Sequence, residues 1–218
     1  MFQSAERLHL LTAGDLARER QQGTLILDAR PAEEFAAFHV RGSIQISLMG
    51  NFAAWAAIII NPAQKLFLIA EDARGAQEAY NRLARVGLGL VIGYTLPDEA
   101  GWRQEGIDLA SIPVRRCEQI RRILQSDSSL QLVDVRSRAE WLKGHLPGAI
   151  SMPLLDLDPK ARSLDPSKPS LVYCHEGYRA TTAASILLRE SAGDIGILID
   201  GVEGWSASGL PLELPDAK

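Results

Sequence analysis

One pattern in this chain of 218 residues occurs twice at a fixed offset. Asp28-Ala29-Arg30 is followed by Glu34-Phe35 and then by His39-Val40-Arg41-Gly42. Asp134-Val135-Arg136 is followed by Glu140-Trp141 and then by His145-Leu146-Pro147-Gly148. Asp28 with Asp134, Arg30 with Arg136, Glu34 with Glu140, His39 with His145 and Gly42 with Gly148 all stand 106 positions apart. Five matches at one offset do not arise by chance. The period is too long for a solenoid, whose repeats run to roughly 20–50 residues. The chain therefore reads as a duplicated domain, and its length suits two domains of about 100 residues each. The copies are expected over 1–108 and 114–218, with 107–114, which contains Pro113, as the linker.

The chain is 46% hydrophobic, enough for a sizeable core, and its net charge of −4 gives no reason to expect a nucleic-acid partner. No apolar run reaches the roughly 18 residues that span a membrane, and the longest candidate is 52–60. The first twenty residues are studded with charge and lack the apolar region of a signal peptide. Two cysteines in a chain of this length make no disulfide framework. A reducing, cytoplasmic location is the expectation, with no membrane contact.

The first copy reads as alternating elements. Thr12 caps a helix over 13–21 that Gly23 ends. A strand over 24–28, a short helix from Pro31 through Phe38 and a strand over 43–46 follow. Then come a helix over 53–60 stopped before Pro62, a strand over 65–70, a helix over 76–86 and a strand over 90–92. The second copy repeats the order, with helices over 115–125, 137–143 and 179–190 and strands over 130–135, 149–152, 170–174 and 196–199. Alternation of this kind implies an α/β fold, a mostly parallel sheet in each copy flanked by helices on both faces. Ligands of such sheets bind at the carboxyl ends of the strands.

One stretch, 171–180, carries the chemistry. Leu171-Val172-Tyr173 ends in Cys174, a short loop His175-Glu176-Gly177-Tyr178 follows, and Arg179 opens a run rich in Ala and Leu. Cys174 thus falls where a strand gives way to a helix. The first amides of a helix have no partner inside it and attract anions, and a thiol there is biased toward the nucleophilic thiolate. Gly177 allows the loop to curl with its amides inward, and Arg179 adds a full positive charge. On these residues alone a buried structural cysteine fits as well as a nucleophile handling a small anion. Cys117, on an Arg-rich helix start with no second cysteine near it, reads as structural or incidental. Gly87-x-Gly89-x-x-x-Gly93 lacks the spacing of a dinucleotide fingerprint.

Taken together, Asp134-Val135-Arg136, Glu140-Trp141, Gly144-His145-Leu146-Pro147-Gly148-Ala149, Cys174-His175-Glu176-Gly177-Tyr178-Arg179 and Gly201-Val202-Glu203-Gly204-Trp205 resemble the rhodanese sulfurtransferase family. The resemblance covers both copies. In the first it is degraded, because the counterpart of the catalytic loop is Ala70-Glu71-Asp72-Ala73-Arg74 and has no cysteine. The resemblance implies two rhodanese-like domains, an inactive first and a catalytic second. It also implies a Cys174 persulfide formed from thiosulfate or 3-mercaptopyruvate and emptied by cyanide, a thiol or a protein acceptor. No cofactor or metal is implied. The loop residues His175, Glu176, Gly177, Tyr178 and Arg179 would bind the small anionic donor, with Asp134, Arg136 and His145 as structural support. That the first copy keeps Asp28, Arg30 and His39 without the cysteine agrees with a scaffolding role for those three.

Several points stay open in the sequence. Arg179 could hold the donor's sulfonate or carboxylate through its planar fork, or pair with a neighbouring acid such as Glu176. Glu176 opposes ionisation of the adjacent thiol, so it is expected to point outward or to select a cationic or protein acceptor. His175 could be a general base or merely exposed. The phosphatases of related fold carry Cys-x5-Arg, and Arg179 stands one residue too early for that loop. A non-catalytic module and a partner-fed persulfide carrier are the remaining alternatives. Cys-His-Glu-Gly matches neither the thiosulfate loop pattern nor the mercaptopyruvate one, so the preference for thiosulfate is slight.

Overall fold

The structure is a computed structural model that describes residues 8–126, 129–157, 164–189 and 193–214. The chain divides into two compact units between Ser111 and Ile112.

The first unit opens with helix α1 (Ala13–Gln21), started by a capping box. The Thr12 hydroxyl accepts from the Asp15 amide, and the Asp15 carboxylate accepts from the Thr12 amide. Strand β1 (Leu25–Asp28), helix α2 (Ala32–Ala37), strands β2 (His39–Val40) and β3 (Ile44–Gln45) and helix α3 (Phe52–Ile59) follow. Strand β4 (Leu66–Ile69), helix α4 (Ala73–Ala84), strand β5 (Val91–Thr95), helix α5 (Glu99–Gln104) and strand β6 (Leu109–Ala110) complete it. The sheet runs β3-β1-β4-β5, and every pairing in it is parallel.

Strands β1 and β4 are buried at every position, as strands covered on both faces must be. Leu25, Leu27, Leu66 and Leu68 face Phe52 and Ala56 of α3 and Ala76, Ala79 and Leu83 of α4. Ile26, Phe67 and Ile69 face the other way, onto Leu16 of α1 and Trp102 of α5. Period-2 alternation along two apolar strands thus builds two separate cores.

The second unit contains β7 (Val114–Arg115), α6 (Cys117–Ser126), β8 (Gln131–Asp134), α7 (Arg138–Trp141), β9 (Ile150–Ser151), β10 (Ser170–Tyr173), α8 (Tyr178–Arg189), β11 (Ile195–Leu198) and α9 (Gly201–Ala207). Its parallel sheet runs β7-β11-β10-β8-β9. Leu132, Leu171, Tyr173 and Leu198 pack with Cys117 and Ile120 of α6 and Trp205 of α9. Helix α8 lies on β10 and β11 and buries Ala180, Ala183, Ala184 and Leu187. The expected end of that helix, Glu190, lies outside the described residues.

The linker differs from expectation. Leu109 and Ala110 form β6, antiparallel to β2, so the first unit runs past 108. Val114 and Arg115 pair with Ile197 and Leu198, so the second unit begins with a strand. Two-residue strands have too few positions to show a hydrophobic period. Helices α5 and α9 likewise show no hydrophobic period in the sequence, for the same reason of shortness. Helix α4 starts three residues earlier than the apolar pattern suggests, because the Asp72 carboxylate caps it through the Gly75 amide at 2.7 Å.

In both units the Asp-x-Arg element does the same thing. The Arg136 Nε and Nη2 donate to both oxygens of Asp134 at 2.6–3.0 Å, and Nη2 also donates to the Gly144 carbonyl at 2.7 Å. Arg30 grips Asp28 likewise and reaches the Phe38 carbonyl at 2.9 Å. All four side chains are at least 95% buried. Each pair ties the carboxyl end of a central strand to the segment after the next helix. Removing one partner would strand a buried charge, so Asp134→Ala and Asp28→Ala are each expected to destabilise their unit by about 3–5 kcal/mol. Urea unfolding measures this, and a loss below about 1 kcal/mol would mean the pairs are not shielded from water.

Candidate active site

Cys174 is the first residue beyond β10 and has no exposed surface. The Gly177 amide donates to its sulfur at 3.0 Å. A loop this tight needs a residue free to adopt positive φ, and Gly177 has φ +90°. A Cβ there would press on the carbonyl oxygen of Ile199.

The outer side of the loop is held by α9. The Val202 amide donates to the Cys174 carbonyl at 2.9 Å, and the Glu203 amide to the His175 carbonyl at 3.3 Å. First-turn amides have no partner inside their own helix, so they are available for this. The approach is close at Gly201, φ +57°, where a Cβ would collide with the His175 carbonyl and sit 2.6 Å from that of Cys174. These contacts engage the first two carbonyls of the loop, those of Cys174 and His175.

Arg179, in the first turn of α8, does not pair with Glu176. Its Nη1 and Nη2 donate to the two carboxylate oxygens of Glu140, at 2.9 and 2.7 Å. Glu140 is the third helical position of α7 and closes a capping box with Ser137. Hydrogen bonds from Arg179, and then from Ser137, hold its carboxyl down at about 2. The same bond raises the Arg179 guanidinium, and negative charge on Cys174 acts on it in the same direction. Arg179 Nε is buried and has no hydrogen-bond partner among the described residues. The fork expected to grip a donor's sulfonate is therefore already occupied, because Glu140 and Arg179, far apart in sequence, meet when α7 and α8 pack.

The other loop side chains are peripheral. His175 and Glu176 are exposed, and with Glu203 they bring one ligand atom each within 4.8 Å of one another. This is the one group among the described residues with metal-like spacing, and none of its members is buried. The Tyr178 ring lies 5.9 Å from the Arg179 guanidinium carbon.

Asp134, Arg136 and His145 lie deeper. The His145 ring stacks on Trp141 with centroids 3.5 Å apart, and its Nδ1 is 3.4 Å from the Trp141 carbonyl. The His145 backbone exchanges two hydrogen bonds with Glu213. His39 repeats the arrangement on Phe35, and burial pushes its imidazole down. Tyr173, beneath Cys174, accepts from the Leu146 amide at 3.1 Å, and burial pushes its phenol up. Sequence reasoning did not single out Glu140, Tyr173 or Gly201 for the site. The conserved spacing of Glu34 and Glu140 was the available signal for the first.

In the first unit Ala70 occupies the position after β4 that Cys174 has after β10. Glu71 follows, its carboxyl raised by burial and then by Glu34, which shares a hydrogen bond with it. The counterpart of Glu140 thus meets a second carboxyl. Cys117 is 2% exposed with its thiol pushed up to about 11, chiefly by burial and then by Asp200. A thiol so firmly protonated is a poor nucleophile.

Among models of protein families, that of the rhodanese-like domain matches residues 12–96 and again 117–208. The Bacillus subtilis protein YrkF, named as a sulfur carrier, is 27% identical over 106 residues, 49% of this chain and 57% of its own. The chain thus spans little more than half the length of that relative. A sulfurtransferase of Allochromatium vinosum is 26% identical over 99 residues, 45% of this chain and 92% of its own. The thiosulfate sulfurtransferase GlpE of Coxiella burnetii is 29% identical over 76 residues, 35% of this chain and 71% of its own. With two family matches, two parallel α/β units and the Asp-x-Arg scaffold built twice, this chain belongs to the rhodanese-like domain family.

Proposed function

We propose that the second unit is a sulfurtransferase that carries sulfane sulfur as a persulfide on Cys174, and that the first unit, with Ala70 in place of the cysteine, is catalytically inactive. The observation that carries this is the Gly177 amide bonded to the Cys174 sulfur at a strand end, in a loop whose first two carbonyls are taken by the first amides of α9. The names of the Allochromatium and Coxiella relatives support the same chemistry.

Two steps follow. The Cys174 thiolate attacks the outer sulfur of thiosulfate or a similar donor. With thiosulfate, a new S–S bond forms, the donor's S–S bond breaks, and sulfite departs with the electron pair. A thiol, cyanide or protein nucleophile then takes the outer sulfur, and the thiolate returns. Splitting one transfer into two lowers each barrier, and an amide already aimed at the sulfur costs no reorganisation. No cofactor or metal is needed for either step.

A second reading, that a protein partner loads or unloads the persulfide, is favoured by the name of YrkF. It shares the first step. Among the described residues no helix is long and apolar enough to cross a membrane.

Incubation with thiosulfate should add one sulfur atom to the intact mass, mapped to Cys174 and removed by cyanide. Cys174→Ser should abolish the adduct and Cys117→Ser should retain it; equal loss from both would refute the assignment. Gly201→Ala should lower the rate of persulfide formation by at least about tenfold, because α9 can no longer clasp the loop. Stopped cyanide-chase assays measure that rate, and an unchanged value would show that the clasp does not set the loop geometry.

A further inference from the structure

Glu140 has no part in the two steps above, yet it lies against the cation closest to the chemistry. Its two oxygens take both terminal nitrogens of Arg179, with only 13% of the Arg179 side chain exposed. It cannot easily swing away, because the Ser137 hydroxyl and amide bind one of those oxygens at 2.7 and 3.0 Å. Two further cations near the loop and α9 are also matched by carboxylates, Arg136 by Asp134 and Arg116 by Asp200. At the exposed rim stand Glu176 and Glu203 beside His175. Arg179, Arg136 and Arg116 are thus each matched by a carboxylate, although the proposed donor is an anion.

We propose that Glu140 is a specificity-determining residue: by occupying the guanidinium fork of Arg179 it makes the site disfavour dianionic donors and prefer a sulfane donor of lower charge, an organic persulfide. This rests on the sulfur-transfer reading. In the preferred reaction the Cys174 thiolate attacks the outer sulfur of R–S–S⁻. The Cys174 persulfide bond forms as the donor S–S bond breaks, and R–S⁻ leaves with the electron pair. Arg179 retains one buried N–H, at Nε, that no group among the described residues accepts.

Glu140→Gln is the suitable variant, because glutamine serves equally at the third position of a capping box. In a Cys117→Ser background, Cys174 is alkylated at one pH with iodoacetamide and with iodoacetate, which are similar in size and differ in charge. The wild-type ratio of iodoacetate to iodoacetamide rates should fall below that of free glutathione. The variant should raise the ratio roughly three- to tenfold, the effect of one unit charge several ångströms away in a partly wet site. The KM for thiosulfate should fall in parallel, in a variant that keeps the wild-type circular dichroism spectrum. Wild-type protein should use the persulfide of 2-mercaptoethanol, a monoanion, with a higher kcat/KM than thiosulfate. An unchanged ratio in the variant, or a wild-type ratio above that of glutathione, overturns the role of Glu140. A ratio that shifts as expected in a protein that forms no persulfide from either donor overturns the sulfur-transfer reading and leaves the charge assignment standing.

Discussion

The candidate site depends on a loop held from outside. Carbonyl oxygens are the natural enemies of a thiolate, and two of them, on Cys174 and His175, are drawn off by the first amides of α9. What remains to face the sulfur is the Gly177 amide. Everything that lets α9 come so close follows from this: Gly201 without a side chain, Trp205 buried in the core that Tyr173 and Leu198 share, and Asp200 bonded to the Cys117 amide. A helix that supplies no reacting group thereby positions the one that does.

A second layer of support comes from the end of β8. Asp134 and Arg136 satisfy each other in a buried fork, and the spare Arg136 N–H fixes the Gly144 carbonyl. Such a pair contributes little net stability compared with apolar packing, but breaking it is costly. It holds the strand rim and the His145 turn in one arrangement. The first unit keeps this device intact at Asp28 and Arg30. There the scaffold persists with Ala70 at the strand end, and the neighbour that Glu34 acts on is a second carboxyl, Glu71, whereas Glu140 takes Arg179.

That contrast shows how the same acidic position acquires opposite meanings. Beside Arg179, Glu140 is an ionised counter-charge locked in a capping box. Beside Glu71, Glu34 raises a neighbour's proton affinity. The residue type is unchanged, and only what the next element brings against it differs.

The duplication, the alternation of strands and helices, and the placing of Cys174 at a strand-to-helix junction were legible in residue order, because repeats, apolar periods and caps are local signals. Strands of two residues and the short helices α5 and α9 were not, since too few positions exist to display a period. The partner of Arg179 could not be read either. Glu176 is its neighbour in sequence, but a strand-loop-helix turn sends those side chains apart, and Glu140, thirty-nine positions away, arrives through packing. Likewise Gly201 is an ordinary motif glycine until α9 folds back onto the Cys174 carbonyl. Local chemistry named the nucleophile and its loop. Long-range packing chose which charges and which amides would surround it, because contacts between distant segments leave no pattern in either segment alone.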